Sequence, residues 1–313
     1  MQRLLLGNKD ISTSLKFDNE FSVVAFPIYE DSIELEYLVI AGGGAGGVRG
    51  NITTRAGGGG GAGQVQTGSL TFATGSEDMP VKVGPKGNGD DYNPPQGGRG
   101  LPGYDSYIGL DSAPFVQAEK GQGGHPIGDT VRFDETGGPS GAGFDGGFND
   151  VYDHAAGGGA GNTSVGVSGN DGPGADPTTA IGGNGGTGTN LSDWYLNSSL
   201  DTVGFVAGGG GGSAWNATNR TAGLGTNGGG DGAIDTGTAG NATTFGSGGG
   251  GAYEGTSGDG AGGLVILRYK NRFKINNSGN EVFQAGEYWY HTYTTASLSE
   301  YSFERPEKIL VSI

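Results

Sequence analysis

Residues 35–50 read LEYLVIAGGGAGGVRG, and they join an apolar, strand-like run directly to a cluster of glycines. The glycines of 42–47 have the G-x-G-x-x-G spacing of a phosphate-binding turn, which requires a helix N-terminus immediately afterwards to hold a pyrophosphate. Residues 48–55 have no apolar recurrence at three and four positions, and a second glycine run follows at 57–61. The acidic residue expected about twenty positions after the glycines is also missing. We therefore reject a dinucleotide-binding turn, and the glycines must serve another structure.

Glycine supplies 72 of the 313 residues, roughly three times the ~7% of ordinary chains. All of these glycines except Gly7, Gly279 and Gly286 lie within residues 41–263. Only 33% of the residues are apolar, so a conventional close-packed core cannot extend through the whole chain. The middle of the chain therefore needs a source of order other than hydrophobic burial.

The charge and the absent residue types exclude several classes of function. A net charge of -16 repels nucleic-acid phosphates and anionic lipid, so we predict neither as a partner. The chain has no cysteine, and hence no disulfide or thiol chemistry. No apolar run is long enough for a membrane-spanning helix. Residues 1–6 begin like a signal peptide, but Gly7 ends the apolar part too early, and we expect a cytoplasmically made chain with an intact N-terminus.

Strand patterns bracket the glycine-rich middle. Residues 33–40 precede it and end apolar on both faces, whereas residues 264–269 follow it and begin with an apolar run, almost as a mirror image, so both patterns indicate buried strands. Residues 21–26 are a further candidate strand, and residues 67–72 alternate like one. The simplest arrangement pairs the entrance strand with the exit strand. We predict β-rich attachment segments at 1–40 and 264–313 and a glycine-rich domain at 41–263.

Inside the middle, glycine clusters recur roughly every twenty residues between polar connectors. Collagen requires glycine at every third position, and runs such as Gly57 to Gly61 break that register. A polyglycine II helix has the extended polyproline II geometry of about 3.1 Å per residue, with every amide and carbonyl pointing outward. Such rods can stack side by side and bond to several neighbours. We predict an irregular, all-β fold with little or no α-helix, in which a polyglycine II lattice stands on a small β base.

These features resemble the glycine-rich domains of tailed-bacteriophage tail fibre proteins and adhesins. The resemblance rests on an ordered series of motifs: EYLVIAGGGAGG (36–47), AGGGGGAGQVQTGSLTF (56–72), VKVGPKG (81–87), VGFVAGGGGGSAW (203–215), GSGGGG (246–251) and GDGAGGLVILRY (258–269). The segment 286–294 often precedes the entrance strand in that family but follows the exit strand here. This order implies either a truncated second unit or a β segment that docks on a neighbouring subunit.

The resemblance implies a virion protein of the tail or tail fibre that binds a host surface glycan or outer-membrane protein without catalysis. It also implies other tail or fibre proteins as partners and a location on the particle surface. A homo-oligomer, such as a trimer, is compatible with it. The alternative is a purely structural virion component, a fibre shaft segment or capsid decoration, whose loops contact other subunits.

Aromatic residues of the connectors are the candidate receptor contacts, because Tyr and Trp offer a flat apolar face with a polar edge. Burial at the rod ends is the competing explanation for each of them. The candidates are Tyr92, Tyr104, Tyr107, Trp194, Tyr195, Trp215 and Tyr253.

The sequence offers no support for an enzyme, a metal or another cofactor. The three histidines are far apart and have neither an H-E-x-x-H spacing nor a G-x-S-x-G elbow nearby. The acidic clusters at 90–91 and 145–153 lack the spacing of calcium-binding loops, and a solvated surface explains them better. We predict a protein that is not an enzyme and has no cofactor and no metal.

Overall fold

The computed structural model describes residues 5–6, 9–10, 32–48, 56–73, 79–90, 98–110, 112–125, 137–149, 154–171, 178–215, 218–270, 279–294 and 298–301. The chain divides into two compact units, Met1–Asp31 and Ser32–Ile313. The first unit contains the short antiparallel pair β1 (Leu5–Leu6) and β2 (Lys9–Asp10). The candidate strand at 21–26 lies outside the described residues.

The second unit has no helix in its described part, as the glycine content predicts. Its strands are β3 (Ser32–Ile40), β4 (Val65–Ala73), β5 (Met79–Lys82), β6 (Ser106–Leu110), β7 (Ala113–Ala118), β8 (Asn170–Asp171), β9 (Thr179–Ile181), β10 (Thr189–Asn190), β11 (Phe205–Val206), β12 (Asn219–Thr221), β13 (Leu264–Lys270), β14 (Glu281–Ala285), β15 (Tyr288–Tyr293) and β16 (Leu298–Tyr301). The predicted irregular, all-β fold is confirmed.

The largest sheet has the order β14-β15-β13-β3-β4, with every neighbouring pair antiparallel. The predicted pairing of entrance and exit strands is confirmed, since Ile40 lies opposite Leu264 at the point where both strands meet the glycine-rich middle. The tail strand β15 pairs with β13 of its own chain. The base sheet therefore includes β4 from within the middle, so the base and the glycine-rich segment form one unit.

A hydrophobic core fills the space between this sheet and a second sheet of order β16-β5-β6-β7. Leu35, Val39 and Leu267 of the first sheet and Val81 and Ile108 of the second are buried in the same cluster. The opposite face of the first sheet is covered by the segment 191–206, which contributes Leu191, Trp194 and Val206 to a second cluster. Burial on both faces explains why the entrance and exit strands read as continuous apolar runs.

Beyond the strands the chain continues as extended glycine-rich rods without regular sheet pairing. They occupy residues 41–48, 57–63, 83–90, 98–105, 119–125, 137–141, 144–148, 156–161, 164–169, 182–188, 208–213, 223–226, 229–233, 239–242, 246–252 and 257–263. Where base strands lead into the middle of the chain, as in the pairs β3–β4 and β3–β13, antiparallel rods prolong the pairing in unbroken register. Thus the β3–β4 pairing of Ile40 with Val65 leads into the bond from Ala41 N to Gln64 O, and then into the bond from Gly44 N to Gly61 O.

The rod at 41–48 shows the predicted polyglycine II pattern in its hydrogen bonds. Its N–H groups point to three neighbouring rods in turn, so that every third residue donates to the same neighbour. The first neighbour accepts at Gln64, Gly61 and Gly58 from Ala41, Gly44 and Gly47, and the second accepts at Tyr104, Leu101 and Gly98 from Gly42, Ala45 and Val48. The third neighbour accepts at Ala261 and Gly258 from Gly43 and Gly46. Its carbonyl groups accept from three further rods, at Gly121 and Gly124, at Gly249 and Ala252, and at Gly87. This rod is therefore surrounded by six others, as in a hexagonal lattice.

Backbone packing is so close in the interior that side chains have no room. A Cβ atom at Gly60 would collide with the carbonyl oxygen of Gly44, and one at Gly210 with the carbonyl oxygen of Gly249. Alanines near the rod ends instead form small buried clusters, such as Ala155, Ala180 and Ala214. Inter-rod hydrogen bonds, each worth about 1 kcal/mol net, thus replace the missing hydrophobic core.

Candidate binding end of the lattice

The rods run alternately away from the β base and back toward it, so the connections that do not meet the base gather at the opposite end. We call this the distal end. Val48 bridges Ala252 there, and Ala214 bridges both Ala155 and Ile234. The connecting stretches 49–55, 91–97, 126–136, 150–153, 172–177 and 216–217 leave from described rod ends on this side and lie outside the described residues.

An aromatic cluster lies at the distal end. The rings of Trp215 and Tyr253 are stacked, with centroids 4.5 Å apart and planes inclined by 7°. The His154 ring lies 5.1 Å from the Trp215 ring, and the amide of Trp215 donates to the carbonyl of His154. His154 and Tyr253 are buried and Trp215 is half-buried. Because the Trp215 ring packs against both His154 and Tyr253, it mainly connects the two segments that carry these residues. Only the part of the ring that these contacts leave uncovered faces solvent.

Two distal turns next to this cluster are accessible. In the turn at 234–237, the amide of Gly237 donates to the carbonyl of Ile234, and Asp235 has a φ of 47°. Ile234 is 44% exposed, and Thr236 and Thr238 are exposed as well. The amide of Glu254 in the adjacent turn bonds to the carbonyl of Asp235. These turns present apolar, hydroxyl and carboxylate groups on a fixed backbone.

Charge pairs hold the sides of the lattice at this end. Arg220 and Asp235 form an ion pair at 2.6 Å. Asp259 accepts from Lys86 and from the amide of Gly89, which ties the rod at 257–263 to the rod at 83–90. Partial burial raises the pKa of Asp259, but the bonds from Lys86 and Gly89 and the charge of Lys86 outweigh it, so the net pKa lies below its ordinary value.

The structure places Trp194 and Tyr195 at the base and not among the distal turns. They lie in the hairpin formed by β10, β11 and the loop between them (189–206), which we call the base hairpin and which folds over the outer face of the five-stranded sheet. The guanidinium carbon of Arg268 lies 4.0 Å from the centre of the Trp194 ring, and Trp194 is only 7% exposed. Tyr195 is half-buried and meets Tyr290 edge-on at 5.8 Å. Both side chains therefore help to attach the hairpin to the sheet.

The remaining candidates are dispersed. Tyr107 lies on β6 and is buried, with the Lys82 amino group 5.1 Å from its ring centre. Tyr104 is 55% exposed on the side of the lattice close to β6. Tyr92 lies outside the described residues. Of the seven aromatic candidates, the structure brings together Trp215 with Tyr253 at the distal end and Trp194 with Tyr195 at the base.

Sequence reasoning missed Ile234, Thr236 and Arg268. No motif marks the first two, because their position depends on which rods become neighbours. A signal for Arg268 does exist, since a cation within the apolar run at 264–269 requires a partner, and Glu36 lies directly opposite it in the ladder.

Within the described part of the chain, no group of three or more His, Cys, Asp or Glu residues could hold a metal ion. The same part contains no helix long and apolar enough to cross a membrane.

Comparison with known families gives one match. A family model described as a glycine-rich domain matches residues 20–270. This range includes the entrance strand, every rod and the exit strand. No curated protein matches the chain.

Proposed function

The chain belongs to the glycine-rich domain family, and from that premise we propose that it is a non-catalytic tail or tail-fibre protein of a bacteriophage that binds a host surface receptor through its distal turns. The observation that carries this proposal is the separation of scaffold from turns. The rods of the interior have no room for side chains at their glycines, so side chains that could contact a partner are limited to the rod ends and to the outer sides of the lattice. Turns at the distal end can change without disturbing the inter-rod hydrogen bonds, which suits recognition of varying surfaces.

The accessible part of the distal end defines the proposed contact surface. Ile234 supplies exposed apolar area, Thr236 and Thr238 supply hydroxyl groups, and the exposed part of Trp215 lies nearby. Hydroxyl and aromatic groups of this kind suit a glycan or the polar loops of an outer-membrane protein. The β base, at the other end, is then available for attachment to neighbouring proteins of the particle.

Adsorption of the purified 313-residue protein to host cells tests the proposal. Ile234→Asp and Thr236→Lys change exposed distal positions, and Phe205→Asp and Ser192→Lys are matched changes at exposed positions of the base hairpin. We expect saturable adsorption that falls at least about tenfold in the distal pair only, as for a contact worth more than about 1.4 kcal/mol. Circular dichroism checks that all four variants fold. Equal losses in both pairs, or no adsorption by the folded wild type to any susceptible host, would count against a distal receptor site.

A purely structural role in the particle is the second candidate. It is favoured by exposed apolar side chains along the sides of the rods, where Val165, Val167 and Leu224 are 56%, 53% and 60% exposed. Packing of such sides against sibling proteins buries them. Under this function, Leu224→Asp reduces incorporation into particles, whereas the distal variants leave both assembly and adsorption unchanged.

A further inference from the structure

Strand β4 forms one edge of the five-stranded base sheet and pairs only with β3 among the described strands. In an antiparallel pair, alternate residues direct their N–H and C=O groups away from the partner strand. The amide of Val65 points outward in this way, since it bonds to the Asn162 side chain on the far side from β3. By the same alternation the backbone groups of Thr67, Ser69 and Thr71 also point outward. All three residues are exposed.

The other edges of the two base sheets carry features that discourage strand addition. Strand β7 contains Pro114 and follows a register shift at Ile108 and Gly109. Strand β14 has only five residues, and its Glu281 carboxylate accepts from the amide of Ser198 in the base hairpin. Strand β16 has four residues and includes Glu300. Short length, proline, irregular register and charge are the usual protections of exposed edges.

Strand β4 has none of these protections. Its nine residues read VQTGSLTFA, with no charged residue and no proline, and it keeps unbroken register with β3 from Ser32–Ala73 to Ile40–Val65. A long, regular and uncharged edge of this kind is a template for another strand.

We propose that β4 pairs antiparallel with β4 of a second copy of this chain, about a twofold axis at Ser69. Two identical chains of high negative charge repel each other over most of their surfaces, so a contact between them is favoured at a strand that carries no charge of its own, as β4 does. A twofold contact also requires a self-complementary patch. In this register Thr67 of each copy lies opposite Thr71 of the other, which is a favourable cross-strand pair. The two five-stranded sheets then form one continuous sheet.

The side chains on the core face fit the same register. Gly68 of each copy lies opposite Leu70 of the other. A side chain at Gly68 would collide with the Tyr37 ring, so the place next to Gly68 is already occupied by that ring. Leu70 and Tyr37 pack against the sandwich core and are only half-buried. Pairing of the copies brings Leu70 of one toward Tyr37 of the other and covers apolar area that a monomer leaves in water.

Sedimentation velocity with an edge-specific variant tests this contact. Ser69→Pro removes the outward N–H and leaves the bonds to β3 intact, a substitution that an edge position accepts. Because each copy loses one bond of the new ladder, we expect the dissociation constant of the dimer to rise about tenfold or more. Ser69→Ala keeps the N–H and is the matched control, which should remain a dimer. If circular dichroism finds Ser69→Pro unfolded, Thr71→Glu replaces it, since a further negative charge in each copy adds to the repulsion between the two chains and should also weaken the dimer.

Crosslinking provides a second readout that does not depend on affinity. Paired Ser69 residues have Cα atoms roughly 5.5 Å apart, within the range that a disulfide spans, and the chain has no native cysteine. Mild oxidation should therefore convert Ser69→Cys into a covalent dimer much faster than Ser192→Cys in the base hairpin. A wild type that sediments as a monomer at all concentrations overturns the proposal. A dimer that Ser69→Pro and Thr71→Glu leave unchanged also overturns it, and so does equal crosslinking of the two cysteine variants. Adsorption to host cells is measured separately, so this contact can fail while the proposed receptor site stands.

Discussion

Arg268 and Trp194 are joined face to face, with the guanidinium carbon 4.0 Å from the centre of the indole ring. The same guanidinium donates to the Glu36 carboxylate at 2.6 and 2.8 Å and to the carbonyl of Asp193 at 2.9 Å. Burial lowers the pKa of Arg268, but its bonds to Glu36 and Tyr290 outweigh this and raise it overall. One side chain thus connects the exit strand, the entrance strand and the base hairpin.

Replacing Arg268 should therefore loosen the hairpin as well as the sheet. Arg268→Lys keeps the charge but loses the planar stacking and the paired bonds to Glu36, and we expect a loss of about 1–3 kcal/mol in the free energy of unfolding. Chemical denaturation followed by tryptophan fluorescence measures it. Lys270→Gln removes a cation two residues away, whose ion pair with Glu287 is well exposed, and should leave the midpoint unchanged. Equal effects of the two substitutions would show that the stacking contributes nothing.

Substitution by alanine should have opposite effects on stability at two glycines of the lattice, Gly60 and Gly262. Gly60→Ala places a methyl group against the backbone oxygens of Gly44 and Ala45, which inter-rod bonds hold in place. We expect it to destabilise the protein by at least about 3 kcal/mol, at or above the usual range for overpacking, and to reduce the yield of folded protein. At Gly262 the nearest atom to an added Cβ lies 4.0 Å away. Gly262→Ala should be neutral or stabilising by up to about 1 kcal/mol, because it restricts the unfolded chain. Thermal unfolding of both variants compares them directly.

Ser106 links the two base sheets where strands give way to rods. Its buried hydroxyl donates to the carbonyl of Ile40 at 2.7 Å and accepts from the amide of Gly84 at 2.8 Å. Ser106→Ala leaves both backbone groups buried and unsatisfied, so we expect a cost of about 1–3 kcal/mol, measured by denaturant titration. Ser192→Ala at an exposed position serves as the control. A cost no greater than that of the control would indicate that other groups replace the hydroxyl.

The pair of Lys86 and Asp259 predicts a pH-dependent contribution to stability. Because the pKa of Asp259 is lowered in the folded protein from an ordinary value of 3.8, its contribution is present above that value and is lost as the pH falls through the folded pKa. Asp259→Asn should therefore be less stable than the wild type at pH 7 by up to about 1 kcal/mol, as expected for a largely exposed pair. The difference should begin to fall as the pH drops below the ordinary pKa and should vanish below the lowered pKa of the folded protein. A difference that stays constant with pH would assign the effect to packing.

Local sequence patterns specified the base strands and the type of backbone in the middle of the chain. The apolar runs at 33–40 and 264–269 specified two buried strands, because few other structures tolerate such runs between turn-forming residues. Their pairing could be predicted because one strand leads into the glycine-rich insertion and the other leads out of it, which brings the two ends of the insertion together. The excess of glycine specified rods without side chains, since only backbone hydrogen bonds remain to hold them together. Ser106 and Arg268 were not recognised, because their partners at Gly84 and Trp194 are distant in sequence.

The aromatic candidates show where inference from the sequence ends. Composition identifies Trp194, Trp215 and Tyr253 as connector residues, but it does not assign each connector to the base end or the distal end. That assignment depends on the direction of every rod and on its neighbours, and the glycines of the interior carry no side chains to distinguish one neighbour from another. The sequence by itself therefore determined the type of backbone and the identity of the base strands. Only the tertiary structure decided which turns meet, because the order of the rods is set by the strands from which they start and by backbone bonds that look alike in sequence.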